Sequence, residues 1–252
     1  MPQPIVSVKD LLDSGIHFGT AASLWHPRVK PYLYGKRGNI HIVDVRQTIR
    51  GLIQAHYYLA KLAKENKTVL FVGTKRQAKE IVRENARSIG MPSVSERWIG
   101  GTLTNFDTVR ASIRRLDAIE SEIAKPEYVR ESKKVQSRHS RERKRILRNL
   151  EGVRNMAKLP DAMVVIDPKY EIAAVNEAKR MKIPLIGLVD TDTDPDLVNL
   201  PIPGNDDGIR SIQVVLKVLT AGYAKGKSEH YQVQTAAPAA AQAEPAPAAK
   251  AS

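Results

Sequence analysis

The feature that most constrains this chain is a repeated alternation of short apolar runs with longer amphipathic segments. Residues 68–72 (TVLFV), 162–166 (AMVVI) and 184–189 (PLIGLV) are apolar almost throughout, over the length of a strand. A strand that is apolar on both faces belongs to a sheet that is covered on both sides, as parallel sheets are. The alternation therefore predicts an α/β fold with a mostly parallel sheet and helices on both faces.

The remaining elements follow from the same periodicities. They comprise an alternating strand at 39–45, a last strand at 198–202, and helices at 46–65, 75–88, 170–181 and from about 205 to about 224. Cap signals precede three of these helices: Thr74 with Gln77 as a capping box, Asp167 before Pro168, and Asn205 or Asp206.

A segment of different character, residues 107–158, separates the two halves of this pattern. It holds fifteen Lys and Arg against eight Asp and Glu, a net charge of +7. Its apolar residues recur at steps of three and four, as in a coiled-coil seam: Val109, Ile113, Leu116, Ile119 and Ile123, then Ile146, Leu150, Val153 and Ala157. A break near Lys125-Pro126 predicts an antiparallel helical hairpin, inserted into an α/β domain formed by residues 1–106, including an N-terminal extension, and 159–226.

The end of the chain differs again. Residues 236–249 contain nine Ala and three Pro, a composition that cannot form a core. We therefore predict a disordered tail over residues 227–252.

Charge indicates the class of partner. Forty Lys and Arg against 27 Asp and Glu give a net charge of +13, so the chain is expected to bind polyanions through phosphate contacts. The absence of cysteine excludes disulfides, thiolate metal ligands and cysteine nucleophiles. Since no apolar run is long enough to span a membrane and the start does not resemble a signal peptide, we expect a soluble, cytoplasmic protein with no membrane partner.

Two short motifs resemble catalytic sites. The turn Gly73 to Arg76 lies where a doubly wound fold binds phosphate, but it lacks the GxGxxG and GxxxxGK[ST] patterns, and we interpret it as an ordinary strand-to-helix turn. The run Asp190 to Thr193 resembles the start of the DxDxT pattern of phosphatases that use an aspartate nucleophile and magnesium, although Asp194 stands where the pattern has its Thr. A magnesium-dependent phosphatase using Asp190 and Asp192 is therefore the alternative, although too few residues follow to complete such an enzyme.

The histidines show no ligand spacing. His17, His26, His41 and His56 are scattered along the chain without HExxH or a closely spaced carboxylate pair, and we interpret them as structural or RNA-facing. We predict no catalytic residue, no metal site and no cofactor.

Several ordered motifs, which cover nearly the whole chain to about residue 225, resemble the bacterial and organellar family of small-subunit ribosomal protein S-two. They are LLDSGIHFGT (11–20), WHPRVKPYLYGKRGNIHIVD (25–44), VLFVGTKRQA (69–78), ERWIGGTLTNF (96–106), LPDAMVVIDP (159–168), AVNEAKRMKIPLIGLVDT (174–191) and IPGNDDGIRSI (202–212).

The resemblance implies a Rossmann-like α/β domain with an inserted coiled-coil hairpin, bound to small-subunit ribosomal RNA. It also implies neighbouring small-subunit proteins as partners, including the large protein S-one. Two places depart from the family pattern: Asp192 stands where the family usually has Asn, and residues 128–145 are unusually basic.

We therefore expect a structural, RNA-binding constituent of the small ribosomal subunit rather than an enzyme. The expected RNA-binding residues are Arg28, Lys30, Lys36, Arg37, Lys75, Arg76, Arg97, Trp98, Asn105, Arg138, Arg141, Lys144, Arg145 and Arg148. Trp98 is open to two interpretations, since its ring could stack on a base or fill the junction between the domain and the hairpin.

Overall fold

A computed structural model describes the backbone of residues 5–241 and the side chains of residues 5–128 and 131–230. The strands are β1 Phe18–Ala21, β2 Leu33–Arg37, β3 Ile40–Val43, β4 Val69–Val72, β5 Ser93–Val94, β6 Ala162–Ile166, β7 Leu185–Val189 and β8 Leu200–Pro203. The α-helices are α1 Val8–Asp13, α2 Val45–Lys64, α3 Lys79–Ser88, α4 Phe106–Ile123, α5 Lys133–Leu150, α6 Ile172–Arg180 and α7 Ile209–Ala241. Within these ranges, no helix combines the length and hydrophobicity that a membrane span requires.

The central sheet is parallel and has the strand order β5-β4-β6-β7-β8. The chain moves from β4 to one side for β5 and to the other side for β6, which places the topological switch point between β4 and β6. This confirms the predicted parallel α/β architecture. The strand predicted at 39–45 forms as β3, but it lies in a separate antiparallel sheet of order β1-β3-β2.

The two faces of the parallel sheet are buried in separate clusters, because successive side chains of a strand point to opposite faces. In β4, Val69 and Phe71 pack with α2, α3 and α7, whereas Leu70 and Val72 pack with α4, α5 and α6. All four side chains are fully buried. The helices therefore cover both faces, as the continuous apolar strands predict.

Helices α4 and α5 occupy most of residues 107–158 and lie side by side. Ion pairs join Glu122 to His139 and Glu120 to Arg143, and the opposite order of the numbers shows that the helices are antiparallel. Near their attached ends, apolar side chains of both helices join the core cluster on the sheet: Val109, Ile113, Leu116, Ile146 and Leu150. The base of the inserted segment is thus part of the main core.

The predicted starts of two helices are wrong. The capping box of Thr74 and Gln77 does not form, and α3 begins at Lys79 after a turn. In a capping box the Gln77 side chain would accept from the Thr74 N–H. Here that N–H donates to Glu171 Oε1 at 2.6 Å instead. Likewise α6 begins at Ile172, after a turn in which the Tyr170 N–H donates to Asp167 Oδ1 at 2.9 Å.

Helix α7 is longer than predicted. It continues past the end expected near residue 224 as far as Ala241. The first residues assigned to the tail pack on α2, since Glu229 pairs with Lys64 Nζ at 2.6 Å and His230 Nδ1 lies 2.6 Å from the Lys64 carbonyl oxygen. The boundary predicted at residue 227 is therefore not a helix end, and residues 242–252 of the predicted tail lie outside the described residues.

The close approach of α2 and α7 requires glycine at two positions of α7. A Cβ atom on Gly226 would lie 2.1 Å from the carbonyl oxygen of Ala60, and one on Gly222 would lie 2.6 Å from the carbonyl oxygen of His56. Both obstacles are backbone atoms inside α2, which cannot rotate away. The two helices can therefore approach this closely only because Gly222 and Gly226 have no side chain.

We predict that Gly226→Ala lowers the free energy of unfolding by about 1 to 3 kcal/mol, the usual cost of an overpacked core. The loss is expected although alanine favours a helix over glycine by about 1 kcal/mol. Urea denaturation followed by circular dichroism measures the change. Gly35→Ala is the control, because a Cβ there meets no atom within 4 Å. A variant Gly226→Ala more stable than wild type would contradict the close packing.

Candidate nucleic-acid interface

The outward face of α5 presents a line of cations. Lys134, Arg138, Arg141, Arg145 and Arg148 recur at steps of four and three residues, so they lie on one face, and all five are exposed. We call these five residues the outer stripe. It is about 21 Å long at 1.5 Å per residue. Among the described residues, none of the five has a carboxylate in ion-pair contact.

The cations that face α4 are neutralised. Arg143 Nε lies 3.0 Å from Glu120 Oε1, and Arg154 Nη2 lies 2.8 Å from Glu120 Oε2. Arg115 of α4 pairs with Glu142 at 3.3 Å. Asp117, Glu120 and Glu142 are thus paired with these cations, whereas the outer stripe and the exposed Lys144 beside it have no ion pair with a described residue.

Six further residues predicted to bind RNA are exposed. They are Lys30, Lys36 and Arg37 in the N-terminal region, Arg76 after β4, and Arg97 and Asn105 after β5. The five cations among them form no ion pair within the described part of the chain. They remain available for phosphate contacts.

Arg28 has a different environment from the one expected. Its Nη1 donates to Asp194 Oδ2 and to Asp196 Oδ2, both at 2.9 Å. The same N-terminal segment is held by the hydroxyls of Thr20 and Thr191, 2.7 Å apart. Arg28 therefore fastens the N-terminal region to the loop after β7 and offers less free charge than its neighbours.

Lys75 lies at the switch point between β4 and β6, where a doubly wound fold commonly binds its ligand. Its Nζ is 2.6 Å from Asp167 Oδ2, 2.7 Å from Asp206 Oδ1 and 2.8 Å from Asp207 Oδ1. The side chain of Lys75 is only 17% exposed. The protein thus fills this crevice with its own ion pairs, and Lys75 has a structural environment rather than the RNA-facing one expected from the sequence.

Two buried carboxylates at this crevice, those of Asp190 and Asp206, have raised pKa values. Burial raises the pKa of Asp190 to about 6. Burial, with repulsion from Asp167 and Asp190, raises the pKa of Asp206 to about 8. Burial alone would lower the pKa of Lys75, but hydrogen bonds to Asp167 and Asp206 hold it above its ordinary value. Lys75 therefore keeps its ammonium charge, while Asp190 and Asp206 bind protons more readily than free carboxylates do.

We predict that Asp190 makes stability depend on pH. Because its pKa is higher in the folded than in the unfolded chain, the folded state binds more protons between about pH 4 and pH 6, and the free energy of unfolding falls as the pH rises through this window. Relative to Asp190→Asn, wild type is expected to lose on the order of 2 kcal/mol between about pH 4.5 and about pH 7.5. Urea titrations at both pH values test this, with the exposed Asp13→Asn as control. The same change in the free energy of unfolding with pH in Asp190→Asn and Asp13→Asn would contradict the prediction.

Glu177 organises the loop that follows β5, and nothing in the sequence pattern indicates this role. Its Oε1 accepts from the Trp98 indole N–H at 3.0 Å and from the Gly101 N–H at 2.7 Å, while its Oε2 accepts from the N–H groups of Leu103 and Thr104. Burial would raise the pKa of Glu177, but these hydrogen bonds lower it below its ordinary value. Trp98 is 9% exposed, so its ring fills the junction, the second of the two interpretations.

We predict that Glu177→Gln destabilises the protein by about 2 to 3 kcal/mol, because the amide replaces one acceptor oxygen by a donor that faces N–H groups. Urea denaturation and a red shift of tryptophan emission from Trp98 measure the effect. The exposed Glu84→Gln on α3 is the control. Wild-type stability with unshifted emission in Glu177→Gln would show that the carboxylate does not hold the loop.

The DxDxT motif has no catalytic geometry. Asp190 is 2% exposed and accepts a hydrogen bond from the Thr191 N–H. Asp192 is paired with Lys169 Nζ at 2.6 Å. Over the part of the chain that the structure describes, no three His, Cys, Asp or Glu side chains are grouped to hold a metal ion. The motif is a loop at the end of β7.

A doubly wound domain whose crevice is filled by its own ion pairs, and whose described surface carries cations without an acidic partner, has the features of a structural scaffold protein. The family model described as ribosomal protein S2 matches residues 11–226 of the chain. The chain belongs to the ribosomal protein S2 family, as the sequence motifs indicated.

Individual relatives agree over most of their length. The small ribosomal subunit protein uS2 of Rhodopirellula baltica is 48% identical over 238 residues, which cover 94% of this chain and 90% of the relative. That of Thermus thermophilus is 46% identical over 211 residues, with 84% and 82% covered. That of Nitratiruptor is 45% identical over 224 residues, with 88% and 84% covered.

Family membership decides between the two functions considered from the sequence. The ribosomal protein S2 family consists of structural proteins, so this chain is a structural protein of the small ribosomal subunit and not an enzyme. The phosphatase alternative has no support from the geometry of Asp190 and Asp192 or from these relatives.

Proposed function

We propose that this protein holds ribosomal RNA in the small subunit through phosphate contacts, chiefly along the outer stripe of α5. The observation that supports this is the separation of charge in the inserted segment. Glu120 and Glu142 are paired with arginines where α4 meets α5, while the cations of the outer stripe have no acidic partner among the described residues. Phosphates of RNA supply the missing negative charge and release counterions on binding.

The remaining predicted residues divide into two groups under this proposal. Lys30, Lys36, Arg37, Arg76, Arg97 and Asn105 are exposed and add contacts beside those of Arg138, Arg141, Lys144, Arg145 and Arg148. Arg28, Lys75 and Trp98 act by positioning the segments that present these residues, because each is engaged within the protein.

We also propose that α4 and α5 form a coiled coil that projects beyond the sheet, inserted into the α/β domain over residues 107–158. The apolar steps of three and four and the antiparallel ion pairs support this arrangement. The protein works in the cytoplasm, with ribosomal RNA and other small-subunit proteins as its partners. The large protein S-one is proposed as one of these neighbours on the family resemblance.

We predict that the fourfold variant Arg138→Gln, Arg141→Gln, Arg145→Gln and Arg148→Gln binds small-subunit ribosomal RNA weakly. Each lost phosphate contact reduces the slope of log affinity against log salt by about 0.7 to 0.9, so the slope is expected to fall by about 3. Filter binding over a series of salt concentrations measures it. Circular dichroism should remain that of wild type, because the four side chains are exposed.

The matched control removes the same charge elsewhere. Lys9, Arg87, Arg180 and Lys182 are exposed, and none has an ion pair with a described residue. Their fourfold Gln variant should bind with nearly the wild-type slope, apart from the general effect of net charge. If the α5 variant and the control lose the same amount, the outer stripe is only a solvated helix face and the proposal fails.

A further inference from the structure

The outward face of α2 is a second line of polar and basic side chains. Arg46, Arg50, Gln54, Tyr57, Lys61 and Lys64 follow at steps of four, four, three, four and three residues, and all six are exposed. These steps place them on one side of the helix. They cover about 27 Å at 1.5 Å per residue. We call this set the α2 face.

The α2 face contains no acidic residue. Between Val45 and Lys64 the helix has no Asp or Glu at all. Its end cations have partners from outside, since Arg46 lies 3.5 Å from Asp44 and Lys64 lies 2.6 Å from Glu229. In the described part of the chain, Arg50 and Lys61 have no ion pair. Arg50 and Lys61 are therefore available to an anionic partner.

The packing of α2 fixes this face outward. The opposite side of the helix is buried, with Leu52, Ala55 and Leu59 fully enclosed against the sheet. Helix α7 blocks rotation because its Gly222 and Gly226 fit directly against the α2 backbone. The cations therefore cannot turn inward to find partners within the protein.

The α2 face and the outer stripe of α5 belong to different layers. Helix α2 covers the cluster on one face of the parallel sheet, and α5 joins the cluster on the other face. The parallel sheet and the buried side chains on each of its faces separate the two helices. An RNA helix lying along α5 is therefore not the one that lies along α2.

We propose that the α2 face is a second RNA-binding surface, which takes the phosphate backbone of an RNA segment other than the one bound by α5. Arg50 and Lys61 contact phosphates, and Tyr57, 58% exposed between them, packs its ring against a sugar or an unstacked base. This rests on the proposed RNA-binding function and adds a second point of contact to it. The protein then joins two RNA segments across its sheet.

The first test compares two double variants of the full chain. Arg50→Gln with Lys61→Gln should reduce the salt slope for naked small-subunit ribosomal RNA by about 1.4 to 1.8, as expected for two lost phosphate contacts. Arg87→Gln with Arg180→Gln removes equal charge from exposed positions on α3 and α6 and should leave the slope near wild type. Equal slopes for the two double variants would overturn the proposal.

The second test locates the contact directly. Since the chain has no cysteine, Gln54→Cys can be labelled uniquely with a tethered iron chelate that cleaves nearby RNA. In reconstituted subunits it should cut an RNA segment distinct from the one cut from Arg141→Cys on α5. Ala173→Cys, exposed on α6, is the control for background cleavage. No cleavage above this background from position 54 would overturn the proposal.

These outcomes separate the α2 face from the proposed function as a whole. If the α5 variant loses RNA binding and the α2 variant does not, the RNA-binding function stands and the second surface is refuted. If neither variant loses binding, both proposals fail.

Flotation with vesicles of phosphatidylglycerol tests a lipid surface as the partner. Loss of vesicle binding without loss of RNA binding in the Arg50/Lys61 variant would also overturn the proposal.

Discussion

Burial of the parallel strands on both faces is the constraint on which the rest of the structure depends. Strands β4, β6 and β7 are apolar throughout, so two layers of helices must cover them. Those layers hold α2 on one side and α4 with α5 on the other. The outward faces of these same helices then present the cations. By placing these helices, the buried core determines where the basic residues lie on the surface.

The sequence predicted the architecture well and the local contacts poorly. Apolar periodicity depends on neighbours along the chain, and it located β4, β6, β7 and the helices between them. The capping box expected for α3 failed because Glu171 reaches Thr74 across 97 positions, which no local pattern records. Short strands such as β5, two residues long, leave almost no periodicity to read.

The candidate site was predictable only where charge stays unpaired. The basic run of α5 was visible in the sequence, and Lys134 would have followed from extending its steps by one turn. For Lys75 and Arg28 the residue type suggested RNA, but carboxylates more than 90 positions away neutralise them in the fold. Whether a cation stays free to bind RNA depends on whether the fold brings a carboxylate to it. The number of basic residues in a stretch of sequence does not show this.

The attachment of the N-terminal region has a consequence for how the chain is made. Thr20 meets Thr191 at a separation of 171 positions, and Arg28 reaches Asp196 at a separation of 168. These two contacts of the N-terminal region therefore cannot form until the loop after β7 has left the ribosome that is synthesising the chain. At 5 to 20 residues per second this delay is roughly 10 to 30 s. During that interval the antiparallel sheet is not yet fastened to the loop after β7.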